Sequence, residues 1–509
     1  MDSVANCLIL DKWGDIENSS SHETLESQIL PTYLKERRWF GGKSQTIGSV
    51  VITSEILIQG PLIPPYLWLL NVEYTNGPHE KYLLPVCFIR GQQMPEEQMR
   101  PPVLCSMQIG LENGWLCDAS WCEDFRSAMF RHLALQSDIK GKDSLLHFEV
   151  SESFHRMQRE QPRSRLLNAE QSNTSIVYEN RLFFKLYRKV EVGVNPDVEL
   201  SKFLTQQAHF AETPAWMGGI EWNTHEGLIQ VGILQEFIPQ STVGWNYFMP
   251  MITSAVEDPD DGHSQLLQKV EQLGELSARL HNALLPKKDM DGFAPEWFDV
   301  EDQEALRVRV MSELNDSFSM LRENINKLSP EARTMGLQLL ETQQELAAIL
   351  KETYLVSSHA MKIRLHGDLH LGQVLVANDR FFITDFEGEP GRCYDERRIK
   401  QSPVKDIAGM IRSFHYAVYS AKLSEEGDQE YVDYMPLENL LHQMTDAYIR
   451  SYLKAGKTDL SENEFNSFLR LFMIEKALYE LRYEINNRPD WALIPIIGLK
   501  AQVREHQIF

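Results

Sequence analysis

Apolar residues gather early in the chain in three segments, 48–59, 66–75 and 80–90, rich in Val, Ile, Leu and Tyr and separated by Gly and Pro turns. That pattern predicts strands. Ahead of them, Leu25, Ile29 and Leu34 fall roughly on one face of a helix over 23–36, which Pro31 interrupts. Between helix and strands, R-R-W-F-G-G-K (Arg37 to Lys43) reads as a tight turn burying Trp39 and Phe40. Residues 91–102, rich in Gln, Glu and Pro, read as a linker. Apolar runs return at Ser175–Tyr178 and Leu182–Tyr187, and the polar Glu179-Asn180-Arg181 between them predicts a hairpin. Asn195-Pro196-Asp197 opens a helix running to about Gln207, and 228–238 returns to strand character.

Beyond that point the period changes. Leu266, Val270, Leu273, Leu280 and Leu284 recur at helical spacing, as do Met335, Leu339, Leu346 and Ile349 or Leu350. Two more helices are expected near 435–454 and 461–486, with a non-helical island at 363–388. Strands first, then helices around a strand–loop–strand inset, predict an α+β chain of two lobes. The expected divisions are an N-terminal subdomain over 1–90, the remainder of a sheet-rich N-lobe over 91–236, and a mostly helical C-lobe over 237–509.

Length and charge narrow the classes. A chain of 509 residues exceeds what one hydrophobic core usually supports. With 43% hydrophobic and 24% charged residues it reads as an ordinary globular protein. A formal charge of −23 repels polyanions, so nucleic acid is not an expected partner. The same field repels a nucleotide at long range, so a nucleotide site needs local cations and a metal ion. The six cysteines are scattered without a C-x-x-C pair, and Cys117 and Cys122 have no second pair at zinc spacing. They read as reduced thiols, which with no evident signal peptide or membrane-spanning stretch gives a cytoplasmic expectation and no membrane partner.

The island carries the chemistry. His366-Gly367-Asp368 is followed five residues after Asp368 by Gln373, and a strand delivers Asp385-Phe386-Glu387-Gly388, with Asp385 17 residues beyond Asp368. Phosphoryl transfer needs a carboxylate at the attacking hydroxyl and oxygen ligands for magnesium on the phosphates. The pattern H-x-D-x-x-x-x-N followed by D-F-G supplies both. Here Gln replaces Asn and D-F-E-G replaces D-F-G. A lone H-G-D would be an ordinary turn; the full constellation at this separation reads as a protein-kinase-like fold using ATP and Mg2+.

Upstream, Lys185 lies within F-F-K-L-Y, where such a fold needs a phosphate-binding lysine, and Glu199 in the following helix is placed to pair with it. The segment E-Q-S-N-T-S lacks glycine, but the hydroxyls, amide and backbone N–H groups of Ser172, Asn173, Thr174 and Ser175 suit phosphate oxygens. Near the C-terminus, Lys476, Glu480 and Glu484 recur at helical spacing, with Tyr479, Tyr483 and Asn487 on a parallel row. Such a stripe is either a solvated face or a sugar site, since sugars pack on aromatic rings and need fixed donors and acceptors.

H-G-D-L-H-L-G-Q-V-L, D-F-E-G-E-P, Arg397 to Phe414, F-K-L-Y-R-K with G-V-N-P-D-V-E-L, and Glu475 to Trp491 together resemble the bacterial maltokinases, members of the aminoglycoside phosphotransferase and kinase-like group. R-R-W-F-G-G-K resembles the start of their N-terminal cap. The resemblance implies that Asp368 is the catalytic base, that Gln373 and Asp385 hold magnesium, and that Asp406 braces the catalytic loop. It implies a nucleotide hinge at Gln235 to Ile238, with Glu236 and Ile238 at the adenine edge. It places His370, Glu387, Arg392, Lys476, Tyr479, Glu480, Tyr483, Glu484, Asn487 and Trp491 at the sugar. The implied reaction is phosphorylation of maltose to maltose 1-phosphate, in trehalose-to-α-glucan metabolism, with trehalose synthase as a partner. Two alternatives stand beside it. Glu480 and Glu484 would suit the ammonium of glucosamine or another amino sugar. A regulatory nucleotide-binding pseudokinase is the other, against which the intact Asp368, Gln373, Asp385 and Lys185 speak.

Overall fold

A computed structural model describes residues 7–94, 100–157, 162–167, 172–258, 263–285, 292–353, 360–423, 435–456 and 460–508. The middle of the expected linker and the Glu170-Gln171 pair lie outside the described residues. The chain forms two compact units: residues 1–202 with 214–239 and 393–395, and residues 203–213 with 240–392 and 396–509.

The first unit holds two sheets. Strands β1 (Cys7–Leu10), β2 (Ile47–Leu57), β3 (Tyr66–Tyr74), β4 (Glu80–Arg90), β5 (Val103–Ile109) and β6 (Glu112–Asp118) lie in the order β1-β5-β6-β4-β3-β2. β1 runs parallel to β5; the other neighbours are antiparallel. β7 (Ile139–Lys140), β8 (Leu145–Val150), β9 (Ser164–Leu166), β10 (Thr174–Tyr178) and β11 (Leu182–Leu186) begin the second sheet. β12 (Lys189–Val190) returns to pair with β4. β13 (Trp216–Thr224) and β14 (Gly227–Glu236) complete the order β7-β8-β13-β14-β11-β10-β9. The hairpin between β10 and β11 turns on Glu179 and Asn180, both at positive φ. One apolar core lies within the first sheet and the N-terminal helices; a second joins both sheets to the helix Glu123–Leu135.

The boundary expected at residue 90 does not hold. β5 and β6 belong to the same sheet as β2–β4, so the first sheet extends to Asp118. The polar stretch 91–102 connects strands of one sheet rather than separating domains. The division expected at 236 is also shifted: the first unit keeps residues through 239, and 203–213 fall with the second. The interruption at Pro31 is milder than expected. Ser19–Thr24 and Leu30–Lys35 are α-helical, and a π turn, Leu25–Ile29, joins them. Pro31 has no N–H for an α-helical bond, and the wider turn before it accommodates the loss.

R-R-W-F-G-G-K is a packing turn. The Phe40 ring lies 5.1 Å from Tyr82 and 6.5 Å from Tyr74, and the Gly41 N–H donates to Tyr82 Oη at 3.1 Å. A Cβ on Gly42 would sit 2.0 Å from Tyr74 Oη, whose hydroxyl is tied to Glu80. Gly42→Ala is therefore expected to destabilise this unit by about 1–3 kcal/mol, read by urea denaturation of the full chain. Unchanged stability would show that Tyr74 moves aside freely.

The second unit is mostly helical: Gly244–Glu257, His263–Ala283, Val300–Asn324, Pro330–Glu341, Gln343–Glu352, Val404–Leu423, Met435–Ala455, Glu462–Asn487 and Leu493–Ile508. The apolar period over 335–350 spans two helices, broken at Thr342. The inset contains β15 (Thr242–Val243), the pair β16 (Glu296–Trp297) and β17 (Met361–Lys362), and the hairpin β18 (Val374–Ala377) with β19 (Arg380–Ile383), to which β15 adds. Asn378 and Asp379 turn that hairpin at positive φ. Among the described residues no helix is long and apolar enough to cross a membrane.

Candidate active site

The loop between β17 and β18 is held from below by one carboxylate. Asp406, in the first turn of Val404–Leu423, accepts the His366 N–H at Oδ2 and the Gly367 N–H at Oδ1, each at 2.9 Å. His281 Nε2 meets Asp406 Oδ2 at 3.2 Å, and its Nδ1 meets the Tyr452 hydroxyl at 2.9 Å. Burial opposes the Asp406 charge, but the His281 hydrogen bond and the neighbouring imidazoles outweigh it and hold the carboxyl below its usual range. Gly367 has φ +83°, a conformation that suits glycine and lets both amides converge on Asp406. His366 Nε2 lies 3.0 Å from Thr384 O, while its Nδ1 accepts from the Asp368 N–H at 3.3 Å, which assigns the Nε2–H tautomer. This ring ties the Asp368 loop to the strand end that carries Asp385.

Asp368 is half-buried and faces the helix Glu462–Asn487. Lys476 Nζ donates to Asp368 Oδ1 at 2.8 Å and to Glu389 Oε1 at 3.1 Å. Burial disfavours the Asp368 carboxylate, yet Lys476 and then His370 keep its pKa below the ordinary value. Burial likewise opposes the Lys476 charge, and Asp368 and Glu389 hold it well above the usual lysine range. His370 Nε2 lies 3.8 Å from Asp368 Oδ2; burial favours its neutral ring, and its Nδ1 accepts from the Gly372 N–H. Asp368, Glu389, Lys405, Glu475 and Lys476 line one cavity with the Gly367 backbone.

Asp385 follows β19 at φ +65°, a strained position for a side-chain-bearing residue. Its carboxylate lies within 4.8 Å of Glu387, and it is close enough to His370 to act on that ring. These two carboxylates form a hard-oxygen donor pair that fits magnesium. Gln373 is fixed through its backbone: its N–H donates to His370 O and its carbonyl accepts the Thr384 N–H, both at 2.9 Å. Glu387, expected at the sugar, thus stands beside Asp385.

In the first unit, Lys185 on β11 meets Asp197 Oδ2 at 3.1 Å, and the Tyr187 hydroxyl donates to the same oxygen at 3.0 Å. Asn195 Oδ1 caps the helix by accepting the Asp197 N–H at 2.8 Å. Asp197 is a carboxylate that sequence reasoning passed over in favour of Glu199, one half-turn on in the same helix, Pro196–Gln206. Asn173 Oδ1 accepts the Arg188 N–H at 3.1 Å, and Thr174 Oγ1 accepts from Arg188 Nε at 2.8 Å. These two acceptor oxygens anchor Arg188, a role the sequence did not suggest. Ser172 is exposed, Ser175 is buried on β10, and the Glu236 N–H donates to Ala215 O at the end of β14, next to the buried Ile238.

The C-terminal stripe departs most from expectation. Glu480 Oε2 accepts from Arg412 Nε and Nη2 at 2.9 and 2.7 Å, and Arg412 is 1% exposed. Glu484 accepts from Arg488 at 2.7 and 2.9 Å and from the Tyr416 hydroxyl at 3.0 Å. Both carboxylates are engaged in internal ion pairs, Glu480 through Oε2 alone. Arg392 is engaged too, by Glu389 at 2.7 Å, Glu475 at 3.1 Å and Glu313 at 3.5 Å. Tyr483 is exposed, and Asn487 donates to its carbonyl. Trp491 stacks on Tyr416 at 6.2 Å. Of the predicted sugar residues, Lys476, Tyr479 and His370 gather at Asp368: the Lys476 ammonium lies 4.9 Å above the Tyr479 ring. Glu389, the second glutamate of D-F-E-G-E-P, was missed.

Residues 33–121 match the maltokinase N-terminal cap domain. The chain carries a maltokinase-type cap. That cap spans the β2–β6 part of the first sheet, in keeping with the corrected boundary. The chain is 23% identical over 346 residues to a glucosamine kinase of Mycolicibacterium smegmatis (strain ATCC 700084 / mc(2)155), covering 67% of this chain and 80% of that one. A glucosamine kinase of Streptacidiphilus jiangxiensis is 25% identical over 267 residues, covering 52% of this chain and 55% of that one. Among solved structures, a glucosamine kinase in complex with glucosamine, ADP and inorganic phosphate aligns with TM-score 0.62 at 16% identity, over 90% of this chain and 96% of that chain. A second crystal form of glucosamine kinase gives 0.64 at 16% identity, over 95% and 99%. The cap-bearing chain therefore has the α+β kinase-like fold of these proteins.

The ion pairs set its acid stability. Asp368, Glu389 and Asp406 all have folded pKa values below the ordinary ones, so their stabilisation is complete above about pH 5 and is lost as pH falls through the lower folded values. Far-UV circular dichroism in urea is expected to show a midpoint that falls most steeply below about pH 5, beyond the shallower loss between about pH 7 and 5 that the buried neutral rings of His370 and His415 bring. A midpoint that stays level from about pH 5 to pH 3 would contradict this assignment.

Proposed function

We propose that this protein transfers the γ-phosphoryl group of ATP to a hydroxyl of a small sugar, with the anomeric hydroxyl of maltose as first acceptor. One observation carries the reading: an ionised Asp368 on a rigidly braced loop, its charge partner Lys476 beside it, and the Asp385–Glu387 carboxylates following on the adjoining strand. Asp368 Oδ2 orients the acceptor hydroxyl and takes its proton as the O–P bond forms. Its low pKa makes it a weak base, which suits a reaction in which the proton leaves late and positioning dominates. Lys476 lies where negative charge develops on the transferred group. Asp385 and Gln373, with Glu387, would hold magnesium, which supplies charge neutralisation on the phosphates. In the first unit, Lys185, positioned by Asp197 and with Glu199 in the same helix, serves the nucleotide phosphates, and the chain around Glu236 and Ile238 the adenine. His370 and Tyr479 flank the sugar, and Trp491 and Tyr483 form an outer aromatic edge.

The match to a maltokinase cap supports maltose as acceptor only in part, since glucosamine kinase aligns over 95% of this chain, and the Arg412 and Arg488 pairs on Glu480 and Glu484 weaken the case for an ammonium there. Glucosamine is the second reading, supported by the two curated relatives. A place beside trehalose synthase follows only with the maltose reading; the cytoplasmic location rests on the cysteine pattern and is independent of the acceptor. ATP turnover by the full chain with maltose, glucosamine, glucose or no sugar separates these. We expect kcat/KM for maltose to exceed that for glucosamine by at least about tenfold, a difference of 1.4 kcal/mol in transition-state binding. The reverse order would replace maltose by the amino sugar, and equal turnover without sugar would remove the sugar kinase reading.

A further inference from the structure

The first unit contains a close thiol pair that phosphoryl transfer does not use. Cys87 Sγ and Cys122 Sγ lie 3.2 Å apart. Cys87 is buried on β4; Cys122 is half-buried, immediately ahead of the helix Glu123–Leu135, and makes no capping hydrogen bond with its side chain. Cys117 stands opposite Cys87 in the β4–β6 register but has no exposed surface. A disulfide needs its sulfurs at about 2.05 Å, so closing the Cys87–Cys122 gap takes an approach of roughly 1 Å.

We propose that Cys87 and Cys122 form a reversible dithiol site, oxidised by a low-molecular-weight disulfide of the glutathione type. Access sets the order of steps. Cys122 loses its proton to solvent, and its thiolate attacks one sulfur of the disulfide, forming a mixed disulfide and expelling a thiolate that takes up a proton. Cys87 then loses its proton to water and attacks Cys122 Sγ, expelling the second small thiol. Two protein thiols are oxidised to one disulfide, and one small disulfide is reduced to two thiols. The hydrogen bond with Cys122, and burial, hold Cys87 as the protonated partner, in keeping with its acting second.

The location gives the bond a consequence. It would clip the turn Ala119–Trp121 to β4. Asp118 and Ser120, at that turn, receive Arg188 Nη2 at 2.7 and 2.9 Å, and Arg188 lies three residues after Lys185. Oxidation therefore stiffens the link between the cap sheet and the strand bearing Lys185.

The test uses the full chain in a Cys7→Ser/Cys393→Ser background, which removes the two exposed thiols. Incubation with oxidised glutathione is expected to consume two thiols, lower the intact mass by about 2 Da, and yield a Cys87–Cys122 cross-linked peptide that dithiothreitol reverses. Cys122→Ser in that background should leave Cys87 reduced, Cys87→Ser should stop at glutathione on Cys122, and Cys117→Ser should still form the bond. Circular dichroism checks that each variant is folded. Thiols that all persist in the folded background protein, or a Cys87–Cys117 link, would overturn the proposal. None of these readouts depends on turnover, so the result stands apart from the sugar kinase reading.

Discussion

Asp368→Asn is expected to lower kcat with the sugar acceptor by about 10²–10⁴-fold. The amide keeps the size of the carboxylate but cannot take the proton of the acceptor hydroxyl. It also removes one of two anions at Lys476, whose ammonium retains Glu389 at 3.1 Å. The fold should therefore survive with only a modest loss of thermal stability. Nucleotide affinity, measured by titration calorimetry with ATP and magnesium, should change little, because the proposed role of Asp368 is at the acceptor hydroxyl, beside Lys476 of the helix Glu462–Asn487, and not at the phosphates. Wild-type turnover in a folded Asp368→Asn protein would end the assignment of Asp368 as base.

The second large effect is on stability. Asp406→Ala is expected to destabilise the second unit by about 3–5 kcal/mol, because a buried carboxylate with three partners disappears. The His366 and Gly367 N–H groups lose their acceptor, and His281 keeps only Tyr452. Turnover should fall with it, since Gly367 and Asp368 are adjacent and the loop loses its anchor. Asp406→Asn keeps one acceptor oxygen but turns an amide NH2 toward a backbone N–H, so it should fall between wild type and Ala in urea denaturation. If Asp406→Ala denatures like wild type, the brace is not what holds the loop.

What could be read from the sequence follows from how far apart the partners lie. His366 to Gln373 and Asp385 to Gly388 sit in one short stretch, so the spacing alone was enough to single out this loop and the strand end that follows it, which His366 ties together. The hairpin β10–β11 and the helix opening at Asn195-Pro196-Asp197 were legible because turn and cap residues act locally. The pairing of Lys476 with Asp368 and Glu389 was not, since it joins side chains 108 and 87 residues apart. The same distance hid the true state of the C-terminal stripe. Spacing placed Glu480 and Glu484 on one face of a helix, and both are there. It could not show that Arg412, from another helix, closes on Glu480, or that Arg488 folds back onto Glu484. The boundary at residue 90 failed for a related reason. A polar, proline-rich stretch looks alike whether it separates domains or connects strands of one sheet, and only the pairing of β6 with β4 decides. Asp197 was passed over because it and Glu199 both lie in the first turn of one helix, and spacing alone does not tell which carboxylates reach Lys185; Asp197 does.

The most direct test follows the phosphorus. ³¹P NMR of the full chain with ATP, magnesium and maltose, run beside Asp368→Asn, should show a sugar phosphate resonance growing in step with ADP for the wild type and neither for the variant. ATP left intact by the wild type, or converted to ADP and free phosphate whether or not sugar is present, would contradict the account.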